Sequence, residues 1–141
     1  MSLNPSSGSN RPPGSEPEAI ESVTAGISRE MVQLYVRAFG RGPTQARTFV
    51  PPQFAVCVLR GILTTSERTL VESGGIEEVE SGRTRINDAI DAEYIEIVEG
   101  FSGRLVQSHL VHVKVANDLV VHLFLFHDAL PTGGAAAGLT G

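Results

Sequence analysis

Six consecutive residues, Phe54-Ala55-Val56-Cys57-Val58-Leu59, are apolar on both of the alternating faces that a strand presents. A half-solvated strand would place a polar side chain at every second position, and this run has none. It predicts a strand buried on both sides, so that something must cover each face of its sheet. Helices packed on one face would leave the other to a second copy of the chain. A homodimer is therefore the expected arrangement. Gly61 ends the densest part of the run, and Pro51-Pro52 bars regular structure before Gln53.

Upstream of that strand, Ile20, Val23, Ile27, Met31, Leu34 and Ala38 recur at helical spacing. They paint one stripe on a helix whose other faces carry Glu21, Arg29, Gln33 and Arg37. Ser15 followed by Glu18 reads as a capping box at its start, and Gly40 as its left-handed stop. Gly26 weakens the helix slightly.

Downstream, Thr64-Thr65-Ser66-Glu67 is a second capping box, predicting a short helix that stops at Gly74-Gly75. A longer helix is expected to follow, with Ile76, Val79, Ile86, Ile90, Tyr94, Ile97 and Phe101 on one stripe. Arg83 stands on that stripe where an apolar residue would be expected. Leu105 to Val115 and Leu119 to Phe126, separated by Ala116-Asn117-Asp118, then predict a hairpin. A three-residue loop pairs Val115 with Leu119, Val113 with Val121 and Val111 with Leu123, and assigns these odd-numbered aliphatics to the core. The expected fold is α+β, a single small domain of order α-β-α-α-β-β. Its three-stranded, mainly antiparallel sheet would carry helices on one face.

At 141 residues the chain suits one such domain. Residues 1–17 and 129–141 are poor in large apolar side chains and are expected to be disordered tails around a domain at 18–128. The formal net charge of −5 and pI near 5.3 argue against nucleic acid as a partner. The single cysteine, Cys57, allows no internal disulfide and reads as a buried small hydrophobe. No basic start followed by an apolar stretch is visible, and no apolar run approaches a membrane span. These features predict a cytoplasmic protein without direct membrane insertion.

Three constellations could carry chemistry. Arg37, Gly40, Arg41, Gly42, Thr44 and Arg47 surround one corner, where glycine amides and guanidinium groups could hold a small anion or nucleotide. The alternative is a rigid connection whose arginines cap carbonyls or pair with glutamates. In the register above, His112 and His122 face each other across the hairpin and could ligate a metal. Yet a structural zinc site wants four ligands, and no third is at hand. Asp88, Asp91, Glu96 and Glu99 form an acidic row that reads as a solvated helix face. His109 and His127 have no visible partner, and nothing argues for an enzyme or for a cofactor.

The block Tyr35-x-x-x-Phe39-Gly40-Arg41-Gly42-Pro43-Thr44, with Ala46-Arg47-Thr48-Phe49-Val50 after it, resembles the MpsC-like family. Gly61-Ile62-Leu63-Thr64, Glu67-x-x-Leu70 and the junction Glu93-x-x-Glu96-x-x-Glu99-Gly100-Phe101-Ser102-Gly103-Arg104-Leu105-Val106 extend the likeness over residues 27–126. The resemblance implies a small soluble accessory protein associated with a sodium-translocating, membrane-potential-generating system. A non-enzymatic accessory or regulatory role with a membrane-protein partner is the expectation it adds, and it supplies no catalytic residues.

Overall fold

The computed structural model describes residues 16–127, so Ser15 and most of the two expected tails lie outside it. The element order is α1 (Glu16–Phe39), β1 (Gln45–Phe49), β2 (Phe54–Arg60), α2 (Thr65–Glu72), α3 (Ile76–Ala89), α4 (Asp91–Ser102), β3 (Val106–Lys114) and β4 (Leu119–Phe126). The strands form one antiparallel sheet in the order β1-β2-β4-β3. The expected α+β class stands, but the sheet has four strands rather than three. The added strand, β1, alternates exposed and half-buried residues at the sheet edge, where Gln45 and Arg47 are tolerated because one side meets solvent. Its polar sequence next to Pro51-Pro52 disguises it.

The 24-residue α1 ends where glycine ends it: Gly40 adopts φ 81° and donates its N–H to the Val36 carbonyl at 2.9 Å. Ile27, Met31, Leu34 and Tyr35 form its buried stripe. Gly26 has a packing role that its weak helix propensity conceals. A Cβ built there would run into the Phe101 ring of α4. Gly26→Ala is therefore expected to destabilise the protein by about 1–3 kcal/mol, against a propensity gain of ~1 kcal/mol. Denaturant titration checks the sign, and a more stable variant would mean that Phe101 moves freely.

At the α2 start, Thr64 Oγ1 accepts from Glu67 N at 3.1 Å while the Glu67 carboxylate accepts from Thr64 N at 2.9 Å, which is the expected capping box. The expected long helix is instead two, parted at Ile90, whose backbone leaves helical geometry at φ −111°, ψ 21°. The stripe also departs from expectation. Ile86 faces solvent, whereas Val79, Arg83 and Asn87 are the buried residues of α3.

The hairpin register is displaced by one residue. A short 3₁₀ turn, Val115–Asn117, and Asp118 at φ 53° make the connection four residues long, so that Lys114 pairs with Leu119, Val113 with Val120 and Val111 with His122. Asp118 holds this turn from outside the hairpin: its Oδ1 accepts from Ile62 N at 2.6 Å and from Leu63 N at 2.9 Å. Because strand side chains alternate, the shift moves β4's even-numbered residues inward. Val120, His122, Phe124 and Phe126 are buried with Ala55, Cys57 and Leu59 of β2 beneath the helices.

The opposite face is open among the described residues. Strand pairing aligns Phe49, Val56, Leu123 and Leu110 in one row across all four strands, with Phe54 beside Leu125 and Val58 beside Val121 in adjoining rows. Phe49 is 48 % exposed and Leu110 is 55 % exposed. The doubly apolar β2 thus has only its inner side buried within one chain.

Candidate functional site

The residues of the Gly-Arg corner take separate partners. Arg41 donates to the Leu63 carbonyl at 2.9 Å, and Arg37 lies 3.5 Å from the Glu93 carboxylate. Arg47 sits 5.9 Å from the centre of the Phe49 ring. Thr44 donates both its N–H and its hydroxyl to the Arg60 carbonyl, at 2.8 and 3.2 Å, tying the corner to the end of β2. Gly42 fits closely beneath Val36 and Val32, and Gly40 turns the chain. The proposed anion ligands are neighbours in sequence whose guanidinium groups are directed to three different places.

His112 and His122 are not cross-strand partners. His112 pairs with Val121 and is exposed on the open face, whereas His122 pairs with Val111 and is fully buried on the inner face. Among the described residues, no group of three or more His, Cys, Asp and Glu side chains is arranged to hold a metal ion. The register shift separates the pair, because a one-residue slip reverses the facing of a whole strand.

His122 belongs instead to a buried chain of polar groups. Its Nε2 lies 2.8 Å from the Tyr35 hydroxyl, and its Nδ1 lies 2.9 Å from His109 Nε2. His109 Nδ1 lies in turn 2.6 Å from the Asp91 carboxylate. With both imidazoles neutral, these contacts assign the protons. A carboxylate oxygen accepts, so His109 carries its proton on Nδ1 and accepts at Nε2; His122 must then donate from Nδ1 and accept from Tyr35. Three hydrogen bonds thus run in one direction, from the core to Asp91 at the surface. Rings fill the space around them: His109 stacks on Phe124 with centroids 4.3 Å apart, and Tyr94 lies 4.5 Å from His122. Tyr94 donates to Asn87 Oδ1 at 2.6 Å.

Burial acts on each member. It pushes His122 well below the usual imidazole value, with His109 adding to the effect. It also lowers His109, although Asp91 opposes the shift by its hydrogen bond and charge. Burial, helped by the neighbouring Tyr94, holds the Tyr35 phenol far above its ordinary value. Both imidazoles are accordingly neutral at physiological pH. His109 Nε2, the nitrogen a general base would offer, is taken up by His122, while Asp91 and His109 line a small cavity with Thr84, Asn87, Asp88 and Val111. Cys57 is inert, its thiol pushed up to about 11 by burial.

Arg83, the charged residue on an otherwise apolar stripe, is the other buried centre, at 1 % exposure. Its Nε and Nη2 grip both Glu67 oxygens at 2.9 and 2.7 Å, and Nη2 also donates to the Ile62 carbonyl at 2.7 Å. Its guanidinium carbon lies 4.1 Å from the Phe39 ring centre. Burial alone would raise the Glu67 carboxyl, but the Arg83 and Thr64 hydrogen bonds outweigh it and hold the group below its usual value. This centre joins the C-terminus of α1, the end of β2 and helices α2 and α3. Only the odd placement of Arg83 hinted at it in the sequence.

No helix among the described residues is long and apolar enough to cross a membrane. No curated protein and no solved structure matches the chain. A family model does match, over residues 20–128, and it spans every strand and nearly all of the helical layer described above. The chain belongs to the MpsC family, described as Na+-translocating membrane potential-generating system (MpsC).

Proposed function

We propose that the protein is a non-enzymatic accessory or regulatory module of a cation-translocating membrane system, working through protein contacts as a cytoplasmic homodimer. The open sheet face carries this reading. Phe49, Val56, Leu123 and Leu110 form an apolar row across four strands, and Phe54, Leu125, Val58 and Val121 widen it on either side. A contiguous apolar face of this kind on a small protein is characteristic of an interaction surface. A two-fold axis across the strands at the Val56–Leu123 row would stack that row on itself. It would leave Arg60 and Lys114, one row beyond Val58 and Val121, at the solvated ends of the interface.

Sedimentation velocity at micromolar concentration should give twice the 15.0 kDa chain mass. Phe49→Asp with Leu110→Asp should return a folded monomer, because both side chains are half exposed in the single chain, and its melting temperature, unlike that of the dimer, should not rise with protein concentration. A monomeric wild-type protein would sink the dimer. The alternative of an anion sensor at Arg37, Gly40, Arg41, Gly42, Thr44 and Arg47 has less support, since Arg41 already caps Leu63 and Arg37 meets Glu93.

A further inference from the structure

A concavity on the helical side of the molecule lies far from the sheet's open face. It is a valley of about 410 Å³ between α1 and α4, lined by Glu30, Leu34 and Arg37 from one helix and by Glu93, Glu96, Ile97, Gly100 and Phe101 from the other. Its α1 residues are spaced by four and three, and its α4 residues recur at three- and four-residue steps, so one ridge from each helix frames the channel. Leu34, Ile97 and Phe101 give it an apolar floor. The rim has three carboxylates against one guanidinium. Two of those carboxylates have only loose partners: Glu93 at 3.5 Å from Arg37, with both side chains more than half exposed, and Glu30 at 3.9 Å from its neighbour Arg29. Exposed pairs of this kind exchange readily for a better-placed cation. At Gly100 the channel is open, with no atom within 4 Å of the position a Cβ would take. A backbone can therefore approach closely there.

We propose that this valley docks a cationic amphipathic helix of a partner protein, its apolar stripe on Leu34, Ile97 and Phe101 and its lysines or arginines on Glu30, Glu93 and Glu96. The inference rests on the accessory role above and names the chemistry of the partner. A helix is the shape that fits between two helical ridges. The segments flanking the described domain are poor sources of that charge, since residues 1–15 and 128–141 together contain one basic residue, Arg11. Cytoplasmic segments flanking membrane spans are enriched in lysine and arginine, which makes such a segment of the membrane partner the occupant to which we commit.

The probe is a synthetic fluorescent helix with a leucine stripe flanked by lysines, and its twin carrying glutamates instead, titrated with the full-length protein by anisotropy. The lysine helix should bind and the glutamate helix should not. Glu30→Lys with Glu96→Lys should weaken binding by roughly tenfold or more. Gly100→Leu should block it by filling the channel, while its gain in helix propensity protects the fold. Charge reversal at the exposed Glu77 and Glu78 of α3 is the control and should leave binding nearly unchanged. Three results would overturn the proposal: no binding, equal loss in the α3 control, or full binding to the Gly100→Leu variant. A monomer that binds the lysine helix would remove the dimer alone, and a dimer that ignores it would remove the docking valley alone.

Discussion

Arg83→Met is expected to cost about 2–4 kcal/mol and to lower the melting temperature by roughly 10 °C or more. Methionine preserves much of the volume packed on Phe39, so the loss reports polar contacts rather than a cavity. The change removes both bonds to Glu67 and the bond to the Ile62 carbonyl, leaving a partly buried carboxylate and a backbone acceptor without their donor. The Glu67 side chain retains 19 % exposure, so water can relieve part of the penalty, which places the expectation near the lower end of the range for breaking a buried pair. Adding Glu67→Gln to Arg83→Met should then cost less than the sum of the single changes, because the ion that Arg83 neutralises is gone. Urea denaturation of the four proteins measures this coupling, and strict additivity would show that the pair does not act as a unit.

The second large effect is acid sensitivity centred on the buried histidines. Burial lowers His109 and His122 in the folded state, whereas the unfolded chain titrates near the ordinary imidazole value of 6.5. Below that pH the unfolded state binds more protons than the folded one. Stability is therefore fully present above about pH 6.5 and drains away as the pH falls toward the lowered folded-state values. The slope reaches at most ~1.4 kcal/mol per pH unit for each histidine. A step from pH 7.5 to 5.5 should cost about 2 kcal/mol, well before the carboxylates begin to titrate. A flat profile over that interval would contradict the hydrogen-bonded chain. His122→Ala should abolish most of the slope and cost about 3 kcal/mol or more at neutral pH, because it opens a cavity and strands both the Tyr35 hydroxyl and His109 Nε2. Tyr35→Phe should do less, about 1–2 kcal/mol, since it removes one donor and leaves the ring in place.

These two centres were not equally visible in the amino-acid sequence. The Thr64–Glu67 capping box is local, with donor and acceptor three residues apart, and the sequence pattern names both partners. That Glu67 also receives Arg83 depends on how α2 and α3 fold back on each other. Arg83 could be recognised only as a residue in the wrong place on a stripe. The histidine chain was less legible still. Its three links span 18, 13 and 87 residues, and each depends on which way a strand or helix faces. Sequence spacing therefore leaves His109 without a partner and sets His122 opposite His112 rather than beside His109.

The sequence by itself determined the elements whose signals are local. Helix α1 stops at Gly40 because only a left-handed residue satisfies its last turn, the capping box opens α2, and the unbroken apolar run makes β2 a strand. It also carried the family likeness, through blocks that the family model spans. Only the tertiary structure decided the hairpin register, the edge strand β1 and the break at Ile90. The register turns on one residue of loop length, and composition is almost indifferent to that choice, because both faces of β4 are apolar: Leu119, Val121, Leu123 and Leu125 on one, Val120, Phe124 and Phe126 beside His122 on the other. What resolves it is Asp118, which accepts the amides of Ile62 and Leu63 from the far end of β2. A hydrogen bond between residues more than fifty positions apart leaves no periodic trace in the sequence, yet it determines which histidine enters the core.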